Sequence, residues 1–314
     1  MKVLGIGESV IDEISVIAGQ GDVVATSRDA GGPVLVALLT LAKLGADCTF
    51  ITTLGNDEGG EYIRGLLSAQ AVNLEARGHD ASKVNLIIVD EPTGAREKLH
   101  SSVEYDPIAD LEPAFLQEFD AIIMDRHERQ AFYEVKQHMS ARTVLVIDPS
   151  TELSAFTLDM MNQANCPIVP LETLAQIEGP GTVQEAVEAL HRLCGKPVVV
   201  TLGEFGSLVY DGAEAVVVPG VQVRVVNALG AGDVYRAAFA YGQLQGWALV
   251  ECARYANVAA ALQCEMMGNA ADVPARSDIE RALVRTTFRD HDAEALEACY
   301  NQLRRDYLPL ALTH

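Results

Sequence analysis

Residues 227–242 read NALGAGDVYRAAFAYG. Three small residues, Gly230, Ala231 and Gly232, stand directly before Asp233. Val234, Ala237, Ala238 and Tyr241 then fall on one face, which predicts a helix starting near Gly230. The first turn of a helix leaves backbone N–H groups unpaired, and the macrodipole adds partial positive charge there. Glycines let a phosphate approach those groups with no side chain in the way. The Gly230, Ala231 and Gly232 amides can therefore hold a phosphoryl group and the charge it gains during transfer. A carboxylate beside that group can accept the proton of an attacking hydroxyl, which is general base catalysis within phosphoryl transfer. Asp233 equally suits the plainer task of stabilising a helix N-terminus, and spacing alone leaves both readings open.

Such a site needs a frame to hold it. Apolar runs at KVLGIGE, 47–55, 120–125, 143–148, 166–170 and 197–203 read as strands. Helical stretches separate them, among them VLVALLTLAKLG, stopped at Gly45, and VQEAVEALHRLCG at 183–195. Near-continuous apolar strands alternating with helices predict a doubly wound α/β fold, its mostly parallel sheet covered on both faces. VQVRVV at 221–226 also reads as strand-like, leading into Asn227. Two segments break the alternation: about 13–30 and 84–103 read as short strands joined by Gly-containing turns. They predict either two ordinary surface hairpins or one small β lid that excludes water. After residue 285 the chain is charged and helical, with DAEALEACYNQLRRDY as its main element.

Composition narrows the partners. The chain has 314 residues, 49% of them hydrophobic, enough for a sizeable core. With 23 Lys+Arg against 44 Asp+Glu, the net charge is -21, and no basic patch breaks the acidity, so nucleic acid is an unsuitable partner. The six cysteines form no Cys-x-x-Cys pair, and the seven histidines show no metal-ligand spacing, so no metal site made of protein side chains is expected. The longest apolar run, Pro33 to Leu39, is too short to cross a bilayer, and residues 1–11 lack the pattern of a signal peptide. The expectation is a cytoplasmic protein that meets neither membrane nor nucleic acid.

GAGDVYRAAFAYG, together with GIGESVIDEI, AGGPVLVALLTLAKLGADCTFITTLGNDEGGEYIRGLL, VVVTLGEFGSLVYDG and YANVAAAL, resembles the ribokinase-like (PfkB) carbohydrate kinase family in order and spacing. The resemblance covers residues 1–285 and leaves 286–314 as a C-terminal extension. It implies a doubly wound kinase domain with a β lid, ATP as donor and Mg2+ held mainly by ATP phosphates and water. Asp233 takes the base's place in the motif, and Gly230, Ala231 and Gly232 that of the anion hole. Asp12 matches the acid that holds sugar hydroxyls, and Gly31 and Gly32 match the Gly-Gly where backbone meets sugar. Thr201, Gly203 and Gly206 match the turn beside the nucleotide phosphates, and Asn257 matches an Asn near the adenine. A homodimer joined through the lid is a further expectation.

The chain also departs from the pattern. Val36 stands where many members have a sugar-binding Asn, and Leu171 and Leu174 replace the Asn and Glu of a motif that helps organise magnesium. Asn227 and Leu229 replace the more usual Asp and Thr, which puts a monovalent-cation site in question. Arg126 follows a strand end, where open α/β sheets bind ligands, and can reach an acceptor that already carries an anionic group. A solvated helix start explains it equally well. Asp57 suits the cap of a helix. Three readings follow: a sugar kinase, a nucleoside kinase of the same fold, and a kinase-fold protein that binds without turnover.

Overall fold

The computed structural model describes the chain apart from residues 20, 91–95, 267, 290–291, 308–314 and the side chain of Arg96. It opens with β1 (Lys2–Ile6), leaves through β2 (Val10–Ala18) and β3 (Asp22–Gly31), and returns by α1 (Pro33–Lys43) to β4 (Asp47–Gly55). Then come α2 (Glu58–Ala69), β5 (Asn73–His79) and a second excursion, β6 (Val84–Asp90) and β7 (Arg96–Leu99). α3 (Pro113–Leu116), β8 (Ala121–Asp125), α4 (Arg129–His138), β9 (Val144–Asp148) and α5 (Ala155–Gln163) follow. β10 (Ile168–Pro170), α6 (Leu171–Ala175), α7 (Val183–Cys194), β11 (Val198–Thr201), β12 (Gly206–Tyr210) and β13 (Ala215–Pro219) lead to the last helices. These are α8 (Ala231–Leu244), α9 (Leu249–Cys264), α10 (Arg276–Arg285) and α11 (Ala293–Tyr307).

The central sheet has the order β5-β4-β1-β8-β9, and every pair in it is parallel. Four of its strands, β4, β1, β8 and β9, are largely buried, whereas edge strand β5 stays partly exposed along its length. Val3, Ala121 and Ile123 join a core with α1, α8 and α9, while Leu4, Ile6, Ile122 and Met124 join a second core with α4, α5 and α7. That split between alternate residues is the doubly wound arrangement expected from the unbroken apolar runs. At Gly5 an added Cβ would lie 2.4 Å from Leu38 Cδ1, so the glycine lets α1 press against β1. Beyond β9, Asn165 bonds Leu145 through both its backbone and its side chain and brings a second sheet alongside, β10-β11-β12-β13. Only the β10–β11 pair of that sheet is parallel.

The two excursions meet. β2 pairs with β3 antiparallel and with β6 parallel, from Ile11↔Val84 to Ile17↔Asp90, giving a third sheet of order β3-β2-β6-β7. The turn of the second excursion lies outside the described residues. VQVRVV does not form the strand its alternation predicts. Only Val221 makes a bridge, to Phe288, while Val226 and Asn227 donate backbone N–H groups to the Cys264 carbonyl at the end of α9. The segment finds its backbone partners outside any sheet and leaves Val225 exposed. α11 packs against α6 and buries Leu296 and Tyr300, so the C-terminal segment docks on the same body. Among the described residues no helix is long and apolar enough to cross a membrane.

Asp57 illustrates how tightly the turns are held. It is the N-cap of α2, accepting from Gly60 N–H at 3.0 Å, and it also accepts from Ser82 N–H at 2.7 Å and Ser82 Oγ at 2.5 Å. Some desolvation acts against ionisation, yet these hydrogen bonds hold the carboxyl down at about 2. We expect Asp57→Ala to cost about 1–2 kcal/mol in urea unfolding, the cap and the loop tie being lost together. The folded-state value lies below the ordinary 3.8, so this contribution is full above pH 3.8 and fades as pH falls toward 2. A cap worth less than 0.5 kcal/mol, to use a rough threshold from cap substitutions, would contradict this.

Candidate active site

Gly230 carries φ 76 and is the N-cap of α8. Its backbone is left-handed, and an added Cβ would fall 2.2 Å from Asn269 Oδ1 and 3.5 Å from Val36 Cγ1. Conformation and space both require glycine here. The N–H groups of Asp233 and Val234 return to the Gly230 carbonyl at 3.0 and 2.9 Å, whereas Ala231 N–H reaches Ala228 O only at 3.5 Å. Gly232 is exposed, and the space over its backbone holds nothing nearer than Arg236 Nη1, 3.6 Å from where a Cβ would be. The turn is therefore open to an approaching anion, with the positive end of a 14-residue helix behind it.

Asp233 sits in the first turn of α8 with its side chain 20% exposed. Arg236, one turn on, places Nη1 3.2 Å from Asp233 Oδ1 and Nη2 2.9 Å from Asp148 Oδ1. Burial, then the charge of Asp148, pushes the Asp233 carboxyl up to about 7, with Arg236 and Lys98 opposing and Asp12 adding to the rise. A carboxyl with that value is half ionised near neutral pH, where a general base works best. Asp148 ends β9, at the carboxyl edge of the central sheet where ligands bind in open α/β folds.

Asp12, on β2, is buried and accepts from Asn85 Nδ2 at 3.0 Å across the β2–β6 pair. Lys98 Nζ of β7 lies 3.9 Å away. Gly31 makes room for this carboxylate: its Cβ would stand 2.1 Å from Asp12 Oδ2. Gly32, with φ 116, would drive a Cβ to 2.3 Å from the Glu8 carbonyl, and Pro33 then starts α1. Asn269 joins the two halves. Its N–H donates to Asp29 Oδ2 and its Nδ2 to Ala30 O, while its Oδ1 lies against Gly230. Asp12, Gly31, Gly32, Gly230 and Asp233 thus belong to one locality.

A second group gathers beyond it. Thr201 ends β11, Gly203 opens a 3-10 turn at φ 59, and Gly206 at φ 97 packs against the backbone of Val218–Gly220. Asn257 is buried and donates Nδ2 to the carbonyls of Val218 and Pro219 at 3.0 and 3.2 Å, tying α9 to the end of β13. A depression beside this group is lined by Glu204, Phe205, Gln222, Phe288 and Arg289. Arg126 follows the end of β8, next to Asp125, which is the register partner of Asp148, and its Nη1 lies 2.8 Å from Glu152 Oε2. Leu171, Leu174 and Val36 are all buried, so none presents a polar group to a ligand. Among the described residues no cluster of three or more His, Cys, Asp or Glu is arranged to hold a metal.

The sequence profile of pfkB family carbohydrate kinases matches residues 2–276. The chain belongs to that family. It is therefore a phosphotransferase of the carbohydrate-kinase class. The kinase is 25% identical to the ribokinase of Bacillus subtilis over 81% of its own length and 87% of the relative's. It is 27% identical to an uncharacterized sugar kinase of Archaeoglobus fulgidus, over 76% of this chain and 99% of that one. Its fold matches Arabidopsis thaliana ribokinase, solved with ribose and ATP, at TM-score 0.77 and 20% identity, covering 90% of this chain and 98% of the other. Adenosine kinase from Sinorhizobium meliloti matches at TM-score 0.74 and 23% identity, over 90% and 99%. These two likenesses describe the fold.

Sequence reading missed four side chains of this candidate site. Asn85 and Lys98 act on Asp12 across strands distant in sequence, and no local pattern announces them. Asp148 and Arg236 left a fainter signal. The first closes an apolar strand, and the second lies one helical turn from Asp233.

Proposed function

We propose that this kinase transfers the γ-phosphoryl group of ATP to a hydroxyl of a sugar or sugar-like polyol. The observation that carries the reading is a partly exposed Asp233, its carboxyl raised to about 7, directly after an open glycine turn and within the electrostatic reach of buried Asp12. Asp12, kept in orientation by Asn85, accepts hydrogen bonds from the acceptor's hydroxyls. The backbone at Gly31 and Gly32 borders the same acceptor. Asp233 takes the proton as the acceptor O–H bond breaks, the acceptor oxygen bonds to the γ-phosphorus, and the bond to the β–γ bridging oxygen breaks to release ADP. The Gly230–Gly232 amides face the transferring group and stabilise its charge.

The group at Thr201, Gly203 and Gly206 suits the nucleotide phosphates, because its glycine backbone at Gly203 is open. Magnesium fits a site of this kind through the nucleotide's own phosphates and water, and bound there it offsets phosphate charge. The β3-β2-β6-β7 sheet acts as the lid, since it supplies Asp12, Asn85 and Lys98 to the acceptor. Leu86 and Leu99, register partners on that sheet, are exposed and suit a second copy of the chain. The working compartment is the cytoplasm.

Incubation with γ-labelled ATP, Mg2+ and a panel of pentoses, hexoses and nucleosides tests the reading. Labelled sugar phosphate is the expected product. Label found only on nucleosides would transfer the assignment to a nucleoside kinase, and label on no acceptor would remove the catalytic reading.

A further inference from the structure

Arg236 is the one charged side chain bonded directly to Asp233 among the described residues, and its geometry is specific. The guanidinium is nearly buried, 11% exposed, and spans two carboxylates: Nη2 to Asp148 Oδ1 at 2.9 Å and Nη1 to Asp233 Oδ1 at 3.2 Å. Asp148 is itself 8% exposed and rooted at the end of β9, a rigid element of the central sheet. The Arg236 Nε–H is buried without a partner, so the two outer nitrogens alone fix the group. Arg236 engages one Asp233 oxygen, and among the described residues no protein donor reaches the other.

We propose that Arg236 is a positioning residue: anchored on Asp148, its guanidinium holds one oxygen of Asp233 so that the other faces the acceptor hydroxyl. The planar fork suits this task. It reaches both carboxylates at once in a fixed geometry, which an ammonium on a flexible stem does not reproduce. It also leaves a positive charge within bonding distance of the base. The groups acting on Asp233 come from four elements: Asp148 on β9, Arg236 on α8, Lys98 on β7 and Asp12 on β2. Two are acids and two are bases, so loss of Arg236 leaves Asp233 facing an excess of negative charge.

The inference rests on Asp233 being the base, and the test separates the two. Acceptor kcat/KM is measured against pH for the native protein, Arg236→Gln and Arg236→Lys, with thermal melts beside them. Removing an adjacent Arg charge raises a carboxyl by about one unit or more, so the Arg236→Gln acid limb should move up and activity at pH 7 fall about fivefold. Arg236→Lys should keep the limb near its native place and lower kcat, because charge returns without the fork. An unmoved limb and unchanged kcat in Arg236→Gln, with Asp233→Asn inactive, would overturn the positioning role alone. An active Asp233→Asn would remove the base assignment beneath it. If Arg236→Gln fails to fold, Arg236→Lys still decides the matter: native kcat there would contradict the need for a fork.

Discussion

Asp233→Asn should lower kcat by about 100- to 10,000-fold, the span that general base catalysis contributes. The substitution keeps shape and removes only the ability to accept a proton. An amide oxygen can still accept from Arg236 Nη1, so the start of α8 should hold its geometry. Stability should not suffer. Burial raises the native carboxyl from 3.8 to about 7, so between those values the folded protein binds more protons than the unfolded chain. The native Asp therefore weakens the fold as pH rises through that window, a burden that a neutral Asn does not carry. Steady-state rates at saturating ATP and sugar, read with thermal melts, check both statements. A kcat within a few-fold of native would mean that another group takes the proton.

Gly31→Ala should raise the acceptor KM by about 10- to 100-fold, the equivalent of a lost hydrogen bond to a charged group. Its methyl would land 2.1 Å from Asp12 Oδ2, closer than such atoms ever stand. Asp12 cannot simply swing away, because it is buried and Asn85 holds its other oxygen at 3.0 Å. Either the carboxylate turns from the acceptor or β2 and β3 part at Val10↔Gly31. The ATP KM should stay near native, since the Thr201–Gly206 turn belongs to a different sheet. Equal rises in both constants would indicate general damage, and no rise would separate Asp12 from acceptor binding.

The frame was legible in the sequence because burial on two faces writes unbroken apolar strands, and KVLGI, AIIMD and VLVID are such runs. The glycines at the site were legible for a similar reason. Gly230 and Gly32 have conformations and neighbours that no side chain tolerates, so the motif carries its cause on its face. VQVRVV misled because alternation promises a strand only where an edge is free to pair, and this segment instead bonds the end of α9 and the chain near Phe288. The charges around Asp233 and Asp12 stayed hidden for a different reason. Arg236 meets Asp148 across 88 positions of sequence, and Lys98 reaches Asp12 across 86, so only the folded sheets bring them together (236 − 148 and 98 − 12). Asn257 makes a structural bond that its sequence position did not announce: its amide joins α9 to the end of β13.

The account stands on Asp233 as the group that takes the acceptor's proton, and the pH dependence of acceptor kcat/KM at saturating MgATP tests this most directly. The native protein should show a single acid limb near pH 7, with activity falling below it as the Asp233 carboxyl takes up a proton. The residual activity of Asp233→Asn should be flat through the same range. A limb of the same midpoint surviving in Asp233→Asn would assign that ionisation, and the base, to a different group.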